Sequence, residues 1–185
     1  MWMSSKKTNT TAFNVALGGI CAAVCLLLMF CSTFLPALSY TVPMFAGLLM
    51  VVMIVEVSSS WAFATYCAVS LLCLFITPNF EASLLFILFM GYYPILHFGL
   101  KKADRVIAWI IKLAVFNAAI VIYYNIFKYL FTSVDMLEGM EFFGKYAVLT
   151  LWATAQVCFL VYDRCLAVMI DVYTGWFRKK ILRRK

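Results

Sequence analysis

Six apolar runs, at 12–33, 42–57, 61–77, 82–100, 106–131 and 146–170, take up most of the 185 residues and leave only short connections between them. A bilayer core about 30 Å thick needs roughly 20 apolar residues per helical crossing, so runs of this length predict membrane spans. Composition agrees: 66% of the chain is apolar and 12% is charged, against roughly a quarter charged in soluble domains. Helices satisfy their own backbone hydrogen bonds in lipid, and the alternation expected of barrel strands is missing. The expected fold is therefore an all-α integral membrane protein. It is read as a single bundle of six transmembrane helices over residues 1–185, ending in a basic tail at 171–185.

The charges orient that bundle. Lys6 and Lys7 precede the first run, Lys101, Lys102 and Arg105 lie between the fourth and fifth, and Arg178, Lys179, Lys180, Arg183, Arg184 and Lys185 follow the sixth. With six spans all three clusters share one side, which the positive-inside rule makes cytoplasmic, with both termini there. The other side carries Glu81 and the segment SVDMLEGMEFF, with Asp135, Glu138 and Glu141. The net charge of +7 is thus a topology signal and not a nucleic-acid footprint, and the tail WFRKKILRRK would also rest on anionic lipid. The first run exceeds a signal-peptide core and no A-x-A site follows it, so it is expected to be retained. The expected location is the cell membrane, with multiple passes.

No catalytic machinery is visible. The seven cysteines lie within the runs and form no C-x-x-C, so they read as small apolar residues. Gly144–Tyr146, GKY, lacks the glycine spacing and the Ser/Thr of a phosphate loop. His97 is the only histidine, which leaves no helical pair of metal ligands. No G-x-S-x-G occurs. The chain is expected to be no enzyme and to hold neither a metal nor a cofactor.

Polar residues inside the runs are the better lead, because hydrocarbon makes them costly unless they are paired or line a cavity. Glu56, His97, Lys112, Asp163 and Arg164 lie toward the basic side. Lys112 and Asp163 fall at about the same depth, roughly 9–10 Å from that interface, which suits either an ion pair or separate snorkelling to the surface. Asn117 and Gln156 lie at mid-depth, where an interhelical hydrogen bond is expected. Toward the acidic side Asn79, Glu81, Tyr124, Asn125, Lys128 and Lys145 gather, with Trp152 below them. Aromatic walls with a few polar groups suit a small-molecule pocket, and an interfacial aromatic belt would use the same rings. The candidate substrate-binding residues are Asn79, Glu81, Tyr124, Asn125, Lys128, Trp152 and Gln156. Gly91 and Pro94, within MGYYPILHF, predict a kink or a close crossing in the fourth span, whereas Pro43 marks an ordinary helix start.

The first run opens TAFNVALGGICAAV. At 100° per residue Ala12, Ala16, Gly19 and Ala23 project within about 60° of one another, with Gly18 and Ala22 alongside. Such small-residue stripes mark helix contacts in membranes, since close van der Waals packing must replace the hydrophobic drive that lipid does not provide. The contact is either within the bundle or with a partner.

Six spans, cytoplasmic termini, a basic lead and an early small-residue stripe resemble the substrate-binding S components of energy-coupling factor transporters, importers of vitamins and micronutrients in bacteria and archaea. In that family paired A-x-x-x-A motifs on the first helix contact a transmembrane coupling subunit, which carries two cytoplasmic ATPases. Here Ile20 stands where a second small residue four positions after Ala16 is expected. The resemblance implies that Ala12, Ala16, Gly19 and Ala23 dock on such a subunit, and that a vitamin-like solute is captured toward the extracellular side, between the first connecting loop and spans four to six. Two other readings stay open. One is a non-transporting membrane scaffold or assembly protein. The other is a self-contained secondary carrier, for which Asn117 and Gln156 are the only deep polar candidates.

Overall fold

The computed structural model describes residues 3–34, 39–130 and 147–177; within them the chain is almost wholly helical and no strand occurs. The acidic segment with Asp135, Glu138 and Glu141, together with Lys145 and the basic residues from Arg178 onward, lies outside the described residues. The helices are α1 (Met3–Cys31), α2 (Thr41–Glu56), α3 (Ser59–Ile76), α4 (Phe80–Leu85), α5 (Tyr93–Gly99), α6 (Arg105–Leu130) and α7 (Ala147–Val172). Among the described residues five stretches are long and apolar enough to cross a membrane: Thr11–Cys31, Ser59–Ile76, Phe80–Gly99, Arg105–Ile126 and Val148–Gly175. α2 has 16 residues, a rise of about 24 Å that falls short of a full hydrocarbon core. Large apolar side chains cover the outside, Phe75 at 82% and Val106 at 69% exposure among them, a surface that suits lipid and not water.

The helices belong to two compact units, Met1–Ala108 and Trp109–Lys185. In the first, α2 is the hub, touching α1, α3, α4 and α5. It is apolar nearly all round and buries Pro43, Ala46, Gly47, Met50, Val51 and Met53, the pattern of a helix enclosed by protein. Cys25 and Met29 of α1, Ala46 and Met50 of α2, Val69 and Cys73 of α3, and Ala82 and Phe86 form one fully enclosed cluster. The inward face of α1 thus reads Gly18, Cys21, Cys25, Met29, at helical spacing. Gly18 sets how closely α1 approaches: a Cβ there would lie 3.2 Å from Thr65 Oγ1 and 3.5 Å from Met53 Cε.

The fourth run is broken, as Gly91 and Pro94 predict. Residues Phe86–Met90 form a π turn between α4 and α5, so the Gly91 N–H donates to the Phe86 carbonyl at 2.8 Å, five residues back instead of four. The Ile87 carbonyl thereby loses its ordinary helical donor, and the Tyr66 hydroxyl of α3 donates to it instead at 2.6 Å. Gly91 makes room for this: a Cβ would come within 2.6 Å of the Tyr66 ring and 2.9 Å of Phe86. What the glycine admits is an aromatic ring.

In the second unit α6 and α7 run antiparallel. Lys112 meets Asp163, and four residues further along α6 and four back along α7, Phe116 stacks on Phe159 with ring centroids 4.5 Å apart.

Tyr66→Phe should lower resistance to SDS-induced unfolding by about 1–3 kcal/mol, since it strands a carbonyl in an apolar setting. Gly91→Ala, which forces the Tyr66 ring aside, should cost a comparable amount, about 1–3 kcal/mol.

Candidate functional site

Two places in the molecule carry features that packing alone does not require. The first is the interior of the α6–α7 hairpin. Lys112 Nζ donates to Asp163 Oδ1 at 2.7 Å, with side chains 10% and 9% exposed. Lys112 lies seven residues into α6, about 10 Å along the helix. A lysine and an aspartate this far into an apolar helix pair would each be expensive alone, and together they neutralise one another. Beyond the Phe116–Phe159 stack the next polar contact forms on Asn117. Its Nδ2 donates to the Leu113 carbonyl at 2.8 Å, while its Oδ1 accepts both from Trp152 Nε1 and from Gln156 Nε2, each at 2.9 Å. Trp152 and Gln156 are four apart on α7 and therefore share one helix face, which is how both reach a single oxygen. The Trp152 ring is 46% exposed, so the indole bonds inward while part of its apolar body stays accessible.

The remaining candidate substrate-binding residues are not drawn into this group. Asn125 donates to the Val121 carbonyl of its own helix at 2.7 Å. Tyr124 and Lys128 are exposed, and Lys128 sits in the last turn of α6, where a cation favours the helix dipole. Asn79 and Glu81 belong to the first unit. Asn79 is the N-cap of α4: its Oδ1 accepts from the Ala82 N–H at 3.1 Å, and its Nδ2 donates to Ser39 Oγ at 2.8 Å and to the Ser32 carbonyl at 3.4 Å. Both ends of the amide are engaged, which makes Asn79 a tie between the first connection and α4. Glu81 occupies the first turn of α4, where its charge meets the positive end of the helix. Asn117, for which the sequence predicts an interhelical hydrogen bond, makes one with Gln156 and is the centre of the cluster. The i, i+4 spacing of Trp152 and Gln156 is the signal that points to a shared acceptor.

The second place is the outward face of α1. Ala12, Ala16, Gly19 and Ala23 are all exposed, and a Cβ on Gly19 would meet nothing within 4 Å. The glycine pair therefore divides: Gly18 faces α3 and Gly19 faces away. The four small residues form a smooth strip on the side of α1 opposite Cys21 and Cys25, and no described part of the first unit covers it. Among the described residues no three His, Cys, Asp or Glu side chains come together in a way that would hold a metal.

Compared with known proteins, the chain matches no family model, no curated protein and no solved structure.

Removing one partner of the ion pair should be costly. Lys112→Met removes the cation that faces the buried Asp163 carboxylate and is expected to lower stability in detergent by about 3–5 kcal/mol, whereas Lys112→Met with Asp163→Leu should recover most of that loss. Comparing the two variants by SDS titration decides whether the charges act as a pair.

Proposed function

We propose that this chain is a capture subunit of an ATP-driven importer: a multi-pass membrane protein that binds a vitamin-like solute and docks through α1 on a separate transmembrane coupling subunit, whose two cytoplasmic ATPases supply the free energy. The observation that carries the reading is the uncovered small-residue strip Ala12, Ala16, Gly19, Ala23. In hydrocarbon such a strip gains nothing from lipid that Leu or Phe would not gain more of, whereas a second helix can approach it closely. In this reading α2 is the sixth crossing. Enclosed by its neighbours, it does not have to match the bilayer thickness by its own length. Both termini are then cytoplasmic, on the side of Lys101 and Arg105.

The solute site is assigned to the α6–α7 face built on Asn117. The Trp152 N–H and one Gln156 N–H hold the Asn117 carbonyl oxygen in place, and a solute carbonyl or carboxylate lying against the indole would accept the second Gln156 N–H. Convergent polar groups beside an aromatic wall are what a small-molecule site requires. A scaffold protein would use the same α1 strip and no such site.

Ala16→Leu with Gly19→Leu should abolish co-purification of a coupling subunit while leaving detergent stability unchanged. Gly18→Leu should do the reverse in kind, lowering stability because Thr65 and Met53 occupy the space. Solute binding is tested by mass spectrometry of ligand retained by the purified protein and by thermal shift against a vitamin panel. Trp152→Ala is expected to weaken a bound solute at least about tenfold, the weight of one aromatic ring stacked on a ligand. No retained solute and no shift would favour the scaffold.

A further inference from the structure

A groove of about 520 Å³ opens on the outside of the first unit between α3 and α5. Phe63 and Tyr66 line one side, and Ile95, Leu96 and Gly99 the other, with Tyr92 above. No described part of the first unit fills it: Phe63 is 53% exposed, and a Cβ at Gly99 would meet nothing within 4 Å. Since the Tyr66 hydroxyl is engaged with Ile87, the groove is offered carbon on both walls.

Its lower end is different. The lining finishes at Leu100, and the chain runs at once into Lys101, Lys102, Asp104 and Arg105. Lys101 Nζ stands 4.5 Å over the Phe98 ring, while Lys101 and Arg105 are exposed. Asp104 immediately precedes α6, and its carbonyl accepts the Ala108 N–H, so its carboxylate lies at the helix end that favours it. The segment that continues from the last lining residue, Lys101 to Arg105, is net cationic.

An apolar slot that runs along membrane helices and ends among cations combines two chemistries, and one class of ligand carries both. A free phosphate has nothing to place in the slot, and a neutral hydrocarbon has nothing to place at the mouth. We infer that the first unit binds an anionic phospholipid, one acyl chain lying between Phe63 and Gly99 and the phosphate held by Lys101 and Arg105. This site is separate from the α1 strip and does not depend on the importer reading.

Native mass spectrometry of the purified full chain, with phosphatidylglycerol and phosphatidylcholine of identical acyl chains, tests it. One phosphatidylglycerol is expected to be retained in preference to phosphatidylcholine. Lys101→Gln with Arg105→Gln should weaken it about thirtyfold, the weight of two interfacial cations, and Gly99→Trp should eliminate it by filling the slot. Equal retention of the two lipids, or an unchanged copy in Gly99→Trp, would overturn the assignment. A phosphatidylglycerol with a photoactivatable acyl chain makes the same test on the unmodified protein: labelling concentrated on residues 63–66 and 92–100 supports the site, and labelling spread evenly along the apolar helices overturns it.

Discussion

A polar group in hydrocarbon has no water to turn to, and most of the distinctive geometry in this chain follows from that single fact. The π turn after α4 shifts the Gly91 N–H to Phe86 and exposes the Ile87 carbonyl, and a tyrosine from a neighbouring helix takes its place as donor. Lys112 and Asp163 neutralise one another on facing helices. The Asn117 amide is engaged at both ends, and so is that of Asn79. In each case at least one contact joins segments distant in sequence, Tyr66 with Ile87, Lys112 with Asp163, Asn117 with Trp152 and Gln156, and Asn79 with Ser39, so the requirement to satisfy polar atoms also specifies which segments meet.

Apolar surface, by contrast, does little to choose partners in lipid, and small residues take over that role. α1 shows both uses of them. Gly18 lets the helix settle against Thr65 and Met53, while Gly19, one residue and about 100° further round, faces open space. α1 presents small residues both inward and outward, and within the first unit only the inward ones are met by a neighbour. That asymmetry, more than any single side chain, is why a docking role is proposed for α1. The groove over Gly99 is another opening left by a glycine, this time beside cations.

Much of this was legible in the residues and some of it was not. The lengths of the apolar runs predict helices close to those observed, because span length is a matter of bilayer thickness and rise per residue. The projection of Ala12, Ala16, Gly19 and Ala23 onto one stripe needs only the helical repeat. Counting depth along two helices places Lys112 and Asp163 level with one another, and they meet. The repeat cannot say which face of α1 turns inward, since Gly18 and Gly19 are chemically identical and only the position of α3 separates them. Nor does Pro94 reveal that the break in its helix takes the form of a π turn completed by Tyr66, because the donor lies on another helix. Asn79 looked like a ligand-binding amide by its place among outer polar residues, yet the capping position before α4 engages it locally. The division into two compact units was also beyond reach, as run lengths carry no information on which helices pack together.

The central claim is that the outward strip of α1 receives a second membrane protein. A photo-crosslinking amino acid placed at Gly19 in native membranes, compared with one at Val24, which is exposed but off the strip, tests it most directly. The account predicts one discrete protein adduct from position 19 and none from position 24. Lipid adducts alone at both positions would contradict it.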